Sequence, residues 1–205
     1  MSKKIIGNPA LINNELIKII KNTKINNHYI KNKADFRDHI VKNILYTDEV
    51  LDIGKAMREK FDRISCTKLE TLDVNDFGDY PDIIFDLCSD NVSELENKYD
   101  KIICIAILEH VYNPFKAVDN LIKMLKPDGI IFGYVPYLYQ YHAPNDLQFQ
   151  DYFRFSKDAL SYLFKDFKEV ELFPVRGRIS APLNIMFASK WKKYITRQEY
   201  RALAE

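Results

Sequence analysis

Two histidines carry most of the chemistry this sequence could perform. His110 directly follows Glu109 at the end of an apolar run, and His142 lies in a stretch crowded with Tyr137, Tyr139, Tyr141, Tyr152 and Phe153. An imidazole titrates near neutral pH, so either ring could take a proton from a hydroxyl acceptor. His110 could instead brace a turn by bonding backbone, and the rings around His142 could serve only to pack neighbouring elements. His28 and His39 fall in an N-terminal helical stretch and read as surface residues. Arg154, Arg176 and Arg178 come from two segments, and a guanidinium fork matches the oxygens of a phosphate-bearing acceptor. Arg154 could equally pair with Asp151 or Asp146. Glu109, Tyr139, Tyr141, Asp151 and Tyr152 complete the candidate substrate contacts. Cys66, Cys88 and Cys104 sit in or beside apolar runs and read as buried, reduced thiols of a cytoplasmic protein. No His, Cys and carboxylate group recurs at ligand spacing along the chain, so the sequence predicts no metal.

These residues need a scaffold, and the hydrophobic pattern describes one. The 205 residues are 47% hydrophobic and 29% charged, with 30 basic residues against 29 acidic ones, which argues against a general nucleic-acid binder. The longest apolar run, Ile102 to Leu108, is too short to cross a bilayer, so no membrane insertion is expected. Residues 1–49 read as a helical cap: Asn8-Pro9 begins one helix, with Ile12, Leu16, Ile19 and Ile20 at helical spacing, and Phe36, Ile40, Val41, Ile44 and Leu45 mark a second. The cap holds nine Lys or Arg against five Asp or Glu, a surplus that reads as a solvated face. From residue 50 to 205 short apolar runs alternate with turn signals, the signature of an α/β domain, and the whole reads as a single globular unit. Strands are predicted at 50–53, 69–74, 83–87, 101–108, 130–135 and 170–175. The fourth and fifth of these are apolar on both faces, as central parallel strands must be. Between them runs the clearest helix, opened by Asn113-Pro114 and stopped by Lys126-Pro127-Asp128-Gly129. Another helix is expected over 157–164, capped by Ser156.

In an open parallel sheet, ligands bind beyond the carboxyl ends of the strands, where strand order reverses. The first strand ends in Asp52-Ile53-Gly54. The second ends in Asp73, 21 residues after Asp52, about where an acidic side chain meets ribose hydroxyls. Asp86 closes the third, Glu109-His110 follow the fourth, and a long aromatic loop follows Pro136.

Here a family resemblance becomes specific. Over residues 48–175 the chain resembles a class I S-adenosylmethionine-dependent methyltransferase, a Rossmann-like, mostly parallel sheet with helices on both faces. The resemblance is carried by Val50-Leu51-Asp52-Ile53-Gly54, Thr71-Leu72-Asp73-Val74, residues 99–111, Asn113-Pro114-Phe115 and Leu125-Lys126-Pro127-Asp128-Gly129-Ile130-Ile131-Phe132. A second block, His142 to Asp146 with Asp151 to Ser156, is similar to a loop of methyltransferases in bacterial surface-polysaccharide pathways. The resemblance implies S-adenosylmethionine as cofactor and S-adenosylhomocysteine as product. It implies that Asp52 and Gly54 shape the loop under the methionine half, that Asp73 binds the ribose, and that Asp86 and Leu87 face the adenine. It also implies that the backbone of Ile105 and Ala106 approaches the cofactor amino group.

Three departures from the family pattern follow. Where the family usually has two further glycines, this chain reads Gly54-Lys55-Ala56-Met57-Arg58, so the loop must take another path. Arg58 could donate to the cofactor carboxylate or be a solvated helix residue. About ten residues link Asp73 to the third strand, too few for the usual helix. After Arg178 only Ala181 to Trp191 could complete the sheet. The sequence therefore predicts an O-methyltransferase acting on a small polar acceptor of phosphorylated or nucleotide-linked sugar type in surface-glycan synthesis. Its competitor is a degenerate methyltransferase fold that binds a ligand or partner without catalysis. A nicotinamide oxidoreductase would need G-x-G-x-x-G after the first strand, which is absent.

Overall fold

In the computed structural model, residues 9–26, 30, 33–57, 60–144 and 148–175 are described. The elements are α1 (Pro9–Asn22), β1 (Lys24–Ile25), α2 (Lys33–Lys42), β2 (Glu49–Ile53), β3 (Lys68–Asp73), β4 (Ile83–Ile84), β5 (Tyr99–Ile105), α3 (Pro114–Met124), β6 (Leu125–Tyr134), α4 (Lys157–Leu163) and β7 (Glu171–Leu172). Five of the strands form one all-parallel sheet in the order β4-β3-β2-β5-β6. Chain order reverses between β2 and β5, which puts the switch point at Gly54 and Ala106.

The two central strands are buried along nearly their whole length, and alternation sorts their side chains onto two faces. Leu51, Ile53, Ile102 and Cys104 join the face covered by Ala117, Val118, Leu121 and Met124 of α3. Val50, Ile103 and Ile105 point the other way, against Phe36, Ile40 and Ile44. Those last three belong to α2 and the turn after it, so residues of the predicted cap cover one face of the sheet. That face needs the cover because the segment after β2 holds a turn and one short 3-10 turn, Phe61–Arg63, rather than a long helix.

Helix α3 begins as its sequence demands. The Asn113 side chain accepts a hydrogen bond from Lys116 N–H at 3.2 Å, and Pro114 occupies the first turn. Asn120, buried on the same helix, donates to the carbonyls of Leu87 at 2.8 Å and Ser89 at 2.7 Å, pinning α3 to the loop after β4. Ser156 caps α4 by accepting from Ala159 N–H. Lys126-Pro127-Asp128-Gly129, predicted to precede the strand, lie within β6, in the irregular stretch between its pairings at Leu125 and Ile130, at the amino-terminal edge of the sheet, where Lys126 bridges Glu49 at 2.6 Å and Asp100 at 2.9 Å. A Cβ on Gly129 would meet Leu125 Cδ2 at 2.8 Å, which explains the glycine.

Several expectations need correction. The third predicted strand, 83–87, stops at Ile84, because only two residues pair with β3. Cys66 is half-buried, while Cys88 and Cys104 are buried as expected. Among the described residues β6 lies at the edge of the sheet and pairs only with β5, whereas β2 and β5 are central. The fourth predicted strand stops at Ile105, and Leu108–His110 form a 3-10 turn. The strand predicted at 170–175 shortens to β7, which leaves the main sheet and pairs in parallel with β1, Lys24 opposite Glu171 and Ile25 opposite Leu172. Residues 74–82 form a loop, as their length predicts. The segment Ala181 to Trp191 lies outside the described residues.

Candidate active site

The cofactor half of the site is built from turns at the ends of β2, β3 and β4. Asp52 is fully buried, and its carboxylate accepts the N–H groups of Ala56 at 3.1 Å and Met57 at 2.9 Å. Burial pushes its pKa up to about 7, against the two N–H donors that favour the charged form. The turn it organises runs through Gly54 at φ +70 and Lys55 at φ +50. A Cβ at Gly54 would lie 2.5 Å from Ile107 Cδ1, so only glycine brings the two strand ends this close. Lys55 lays its ammonium 4.8 Å from the Tyr80 ring centroid.

Asp73 ends β3 with Oδ1 accepting from Asn75 N–H and Oδ2 from the Tyr80 hydroxyl, both at 3.1 Å. Asp86 accepts from Cys88 N–H at 2.8 Å. Leu87 is packed in the core and its carbonyl is held by Asn120. Ala106 takes φ +57, and its N–H is bonded to Tyr134 O, so the end of β5 turns sharply at the switch point beside Ile105. Arg58 lies outside the described residues.

The half in which the sequence places the acceptor contacts is built from one long loop folded back over β5. Tyr152 and Phe153 N–H groups donate to the Glu109 carbonyl at 2.8 and 3.1 Å. Asn75, at the end of β3, donates to the Gln148 carbonyl at 3.2 Å, so the loop crosses toward the cofactor half. This brings the two histidines together: His110 Nε2 and His142 Nε2 are 3.1 Å apart. His110 Nδ1 lies 2.5 Å from the Gln150 carbonyl, and burial pulls its pKa below the ordinary imidazole value. His142 Nδ1 faces the Gln140 carbonyl at 3.2 Å and Asp151 Oδ2 at 3.1 Å. Phe149 and Tyr139 set ring edges against His110 and His142 respectively. The Glu109 side chain is fully buried, with an oxygen 3.8 Å from His110 Nε2.

Arg154 is the fastener of this loop. Its guanidinium binds both oxygens of Asp151, at 2.5 and 2.7 Å, and the carbonyls of Tyr139, Gln140 and Phe153. The same guanidinium holds the Asp151 carboxyl down at about 2. Of the two readings of Arg154, the pairing with Asp151 is the one the geometry shows. Tyr141 and Tyr152 stand exposed on the loop surface. Arg176 and Arg178 lie outside the described residues, as do His28 and Asp146. The metal expectation rested on linear spacing, and the fold revises its premise: Glu109, His110 and His142 place their ligand atoms within 4.8 Å of one another. A cavity of about 780 Å³ between α1 and α4 is lined by none of these residues. Four contributors escape sequence reading: Asn75, Tyr80, Asn120 and Gln150. Only Tyr80 carries a local signal, its ring falling in the short turn-rich segment after Asp73.

The family profile described as "Methyltransferase domain" matches residues 26–167. The chain belongs to that family. S-adenosylmethionine is the cofactor that comes with this membership, and the parallel sheet with its switch point at Gly54 is the Rossmann-like fold of the class I methyltransferases. Solved structures similar to it include a SAM-dependent methyltransferase from Archaeoglobus fulgidus, 18% identical, covering 48% of this chain and 49% of that one with a TM-score of 0.37. Others are the methyltransferase CalH in complex with S-adenosylhomocysteine, at 14%, 48%, 34% and 0.35, and the 4+2 cyclase SpnF, at 16%, 58%, 55% and 0.40. The chain thus spans between a third and just over half of those proteins' lengths. No curated protein matches it. None of the described helices is long and apolar enough to cross a membrane.

The strand ends fit the cofactor. A carboxylate has about four acceptor positions, and Asp73 spends two of them on Asn75 and Tyr80, leaving two for ribose hydroxyls. The Gly54 turn, at φ +70, carries the chain past the end of β2 without a side chain, as a loop that passes close to a nucleotide requires.

Proposed function

We propose that this chain transfers a methyl group from S-adenosylmethionine to an oxygen of a small polar acceptor. The observation that carries this reading is the meeting of His110 and His142, Nε2 to Nε2, in the loop above the sheet's switch point. The bound cofactor supplies a sulfonium methyl that needs no further activation, so the protein's task is alignment and exclusion of water. Asp73 and the Gly54 turn hold the cofactor, with Asp86 at its adenine end. A hydroxyl seated at the imidazole pair donates its hydrogen bond to a ring nitrogen, and Tyr139 and Phe149 wall that position. The similarity of residues 142–146 and 151–156 to loops of surface-polysaccharide methyltransferases supports sugars as acceptors and the cytoplasm as the compartment. Arg154 is committed to Asp151, so an anionic acceptor would rely on Arg176 and Arg178.

Calorimetric titration with S-adenosylmethionine and S-adenosylhomocysteine, NADH serving as control, tests the cofactor. Methyl transfer from labelled cofactor to a panel of phosphorylated, nucleotide-linked and neutral sugars tests the acceptor. A second reading, a ligand-binding module without catalysis, is favoured by the Tyr80 hydroxyl on Asp73 and by the missing glycines after Gly54. Cofactor binding with no transfer to any acceptor supports it, and transfer excludes it.

A further inference from the structure

We propose that Glu109, His110 and His142 form a binding site for a divalent transition-metal ion of the zinc or iron(II) class. The ring nitrogens carry the argument. His110 Nδ1 faces only a carbonyl acceptor, Gln150 O at 2.5 Å, so its proton sits on Nδ1. His142 Nδ1 faces two acceptors, Gln140 O at 3.2 Å and Asp151 Oδ2 at 3.1 Å, and is protonated for the same reason. In the neutral rings both Nε2 atoms therefore present lone pairs, and they do so at 3.1 Å from each other. Two acceptors held this close call for an electropositive partner between them.

A metal ion meets that need in size. Imidazole nitrogens bind zinc at about 2.0–2.1 Å, so two of them at right-angled to tetrahedral bond angles lie about 2.9–3.4 Å apart. The observed 3.1 Å falls inside that span. Glu109, buried beside His110, supplies the third donor, and two histidines with one carboxylate are a set used for zinc and non-haem iron. All three ligand atoms lie within 4.8 Å of one another, with a Glu109 oxygen 3.8 Å from His110 Nε2, so binding would draw the carboxylate in by about half an ångström or more, toward the spacing of about 3.0–3.4 Å between neighbouring ligands. The surroundings match as well. Metal-binding histidines hand their second N–H to a carbonyl or carboxylate, and both rings do so here. His110 and His142 keep an edge toward solvent, which leaves coordination positions for an oxygen ligand such as water or a hydroxyl.

The test uses the full chain, stripped with chelator and titrated with cobalt(II). One equivalent should bind, with visible d–d absorption and no near-ultraviolet thiolate charge transfer. Proton NMR of the complex should show two strongly shifted, exchangeable ring N–H signals, one for each Nδ1–H. Glu109→Gln and His142→Ala should each weaken binding by about a hundredfold or more, since even outer-shell partners are worth about 10–100-fold. His39→Ala, outside the cluster, should leave it unchanged. Thermal melts confirm that each variant folds, and His142→Gln replaces His142→Ala if the latter does not. Absence of saturable binding, as when the rings share only a proton, overturns the proposal. So do thiolate bands, which would move the site to a cysteine, or unchanged affinity in both cluster variants. Neither cofactor nor acceptor is in the tube, so the binding result is read apart from methyl transfer; with the ion bound, an acceptor hydroxyl would meet the metal in place of a ring lone pair.

Discussion

The two halves of the site are held by different kinds of interaction. At the ends of β2, β3 and β4 the shape comes from short-range turns: Asp52 accepts from N–H groups four and five residues on, Asp73 from an N–H two residues on and a hydroxyl seven on, and Asp86 from an N–H two residues on. At the end of β5 it comes from side chains that reach across 32 residues, His110 to His142, and across 40, His110 to Gln150. The cofactor half is thus fixed by the sheet itself. The acceptor half is fixed by a loop that the sheet alone does not position. Under the proposed function, substrate choice would change in the loop while cofactor binding stays with the strands, in line with the general placement of specificity on loops carried by a rigid scaffold.

Variants that should touch one half only test this division. The largest effect is expected for His110→Ala, which should lower kcat/KM for methyl transfer by about 10³-fold. S-adenosylmethionine affinity should stay within about threefold, and a parallel loss of affinity would break the division. Next comes Arg154→Ala. It removes the guanidinium from the Asp151 carboxylate, leaving that group only its contacts with His142, and takes a donor from the carbonyls of Tyr139, Gln140 and Phe153, a loss of about 2 kcal/mol in urea unfolding. Proteolytic cleavage between residues 136 and 152 should accelerate well before the strands are cut.

Asp73→Asn should raise the dissociation constant for S-adenosylmethionine about 30-fold, near 2 kcal/mol by calorimetry, with little change in melting temperature. The smallest effect sharpens the comparison at the outer edge of the cofactor half, where Thr71 N–H and hydroxyl both donate to Asp82. The Thr71 hydroxyl holds the Asp82 carboxyl below its ordinary value. A folded pKa below the unfolded one means stabilisation that is present above the unfolded value and fades as pH falls through the lowered one. Thr71→Ala should therefore cost about 0.5 kcal/mol at pH 7. That gap should narrow in acid without closing, because the bond from Asp82 N–H to the Thr71 hydroxyl does not titrate.

What could be read from the sequence follows the same boundary. Asn113-Pro114, the Asp52-Ile53-Gly54 turn and Asp73 announce themselves because each acts on neighbours within a few residues. β2 and β5 show as apolar runs because both their faces are covered. The meeting of His110 with His142 has no local signature, and neither has the reach of Asn75 to Gln148. Both depend on the path of a loop whose fastener, Arg154, reads in sequence equally as an anion-binding residue and as a partner of Asp151 or Asp146. β6 misled because its inward and outward positions are both apolar, although its outer edge is open among the described residues. Lys126, prominent as part of a family motif, braces Glu49 and Asp100 at the end of the sheet away from the site. A motif can identify a fold while doing nothing in its reaction.

The small sheet of β1 and β7 lies wholly outside the family's matched span, since β1 ends at residue 25 and β7 begins at 171. Two strands that pair only with each other are of no use singly. Had descent added or lost one of them alone, the other would have remained as a bare edge offering unpaired N–H and C=O groups to neighbouring molecules. The pairing thus ties residues 24 and 25 to residues 171 and 172 across the whole matched span, so that removing either strand would leave the other without its ladder.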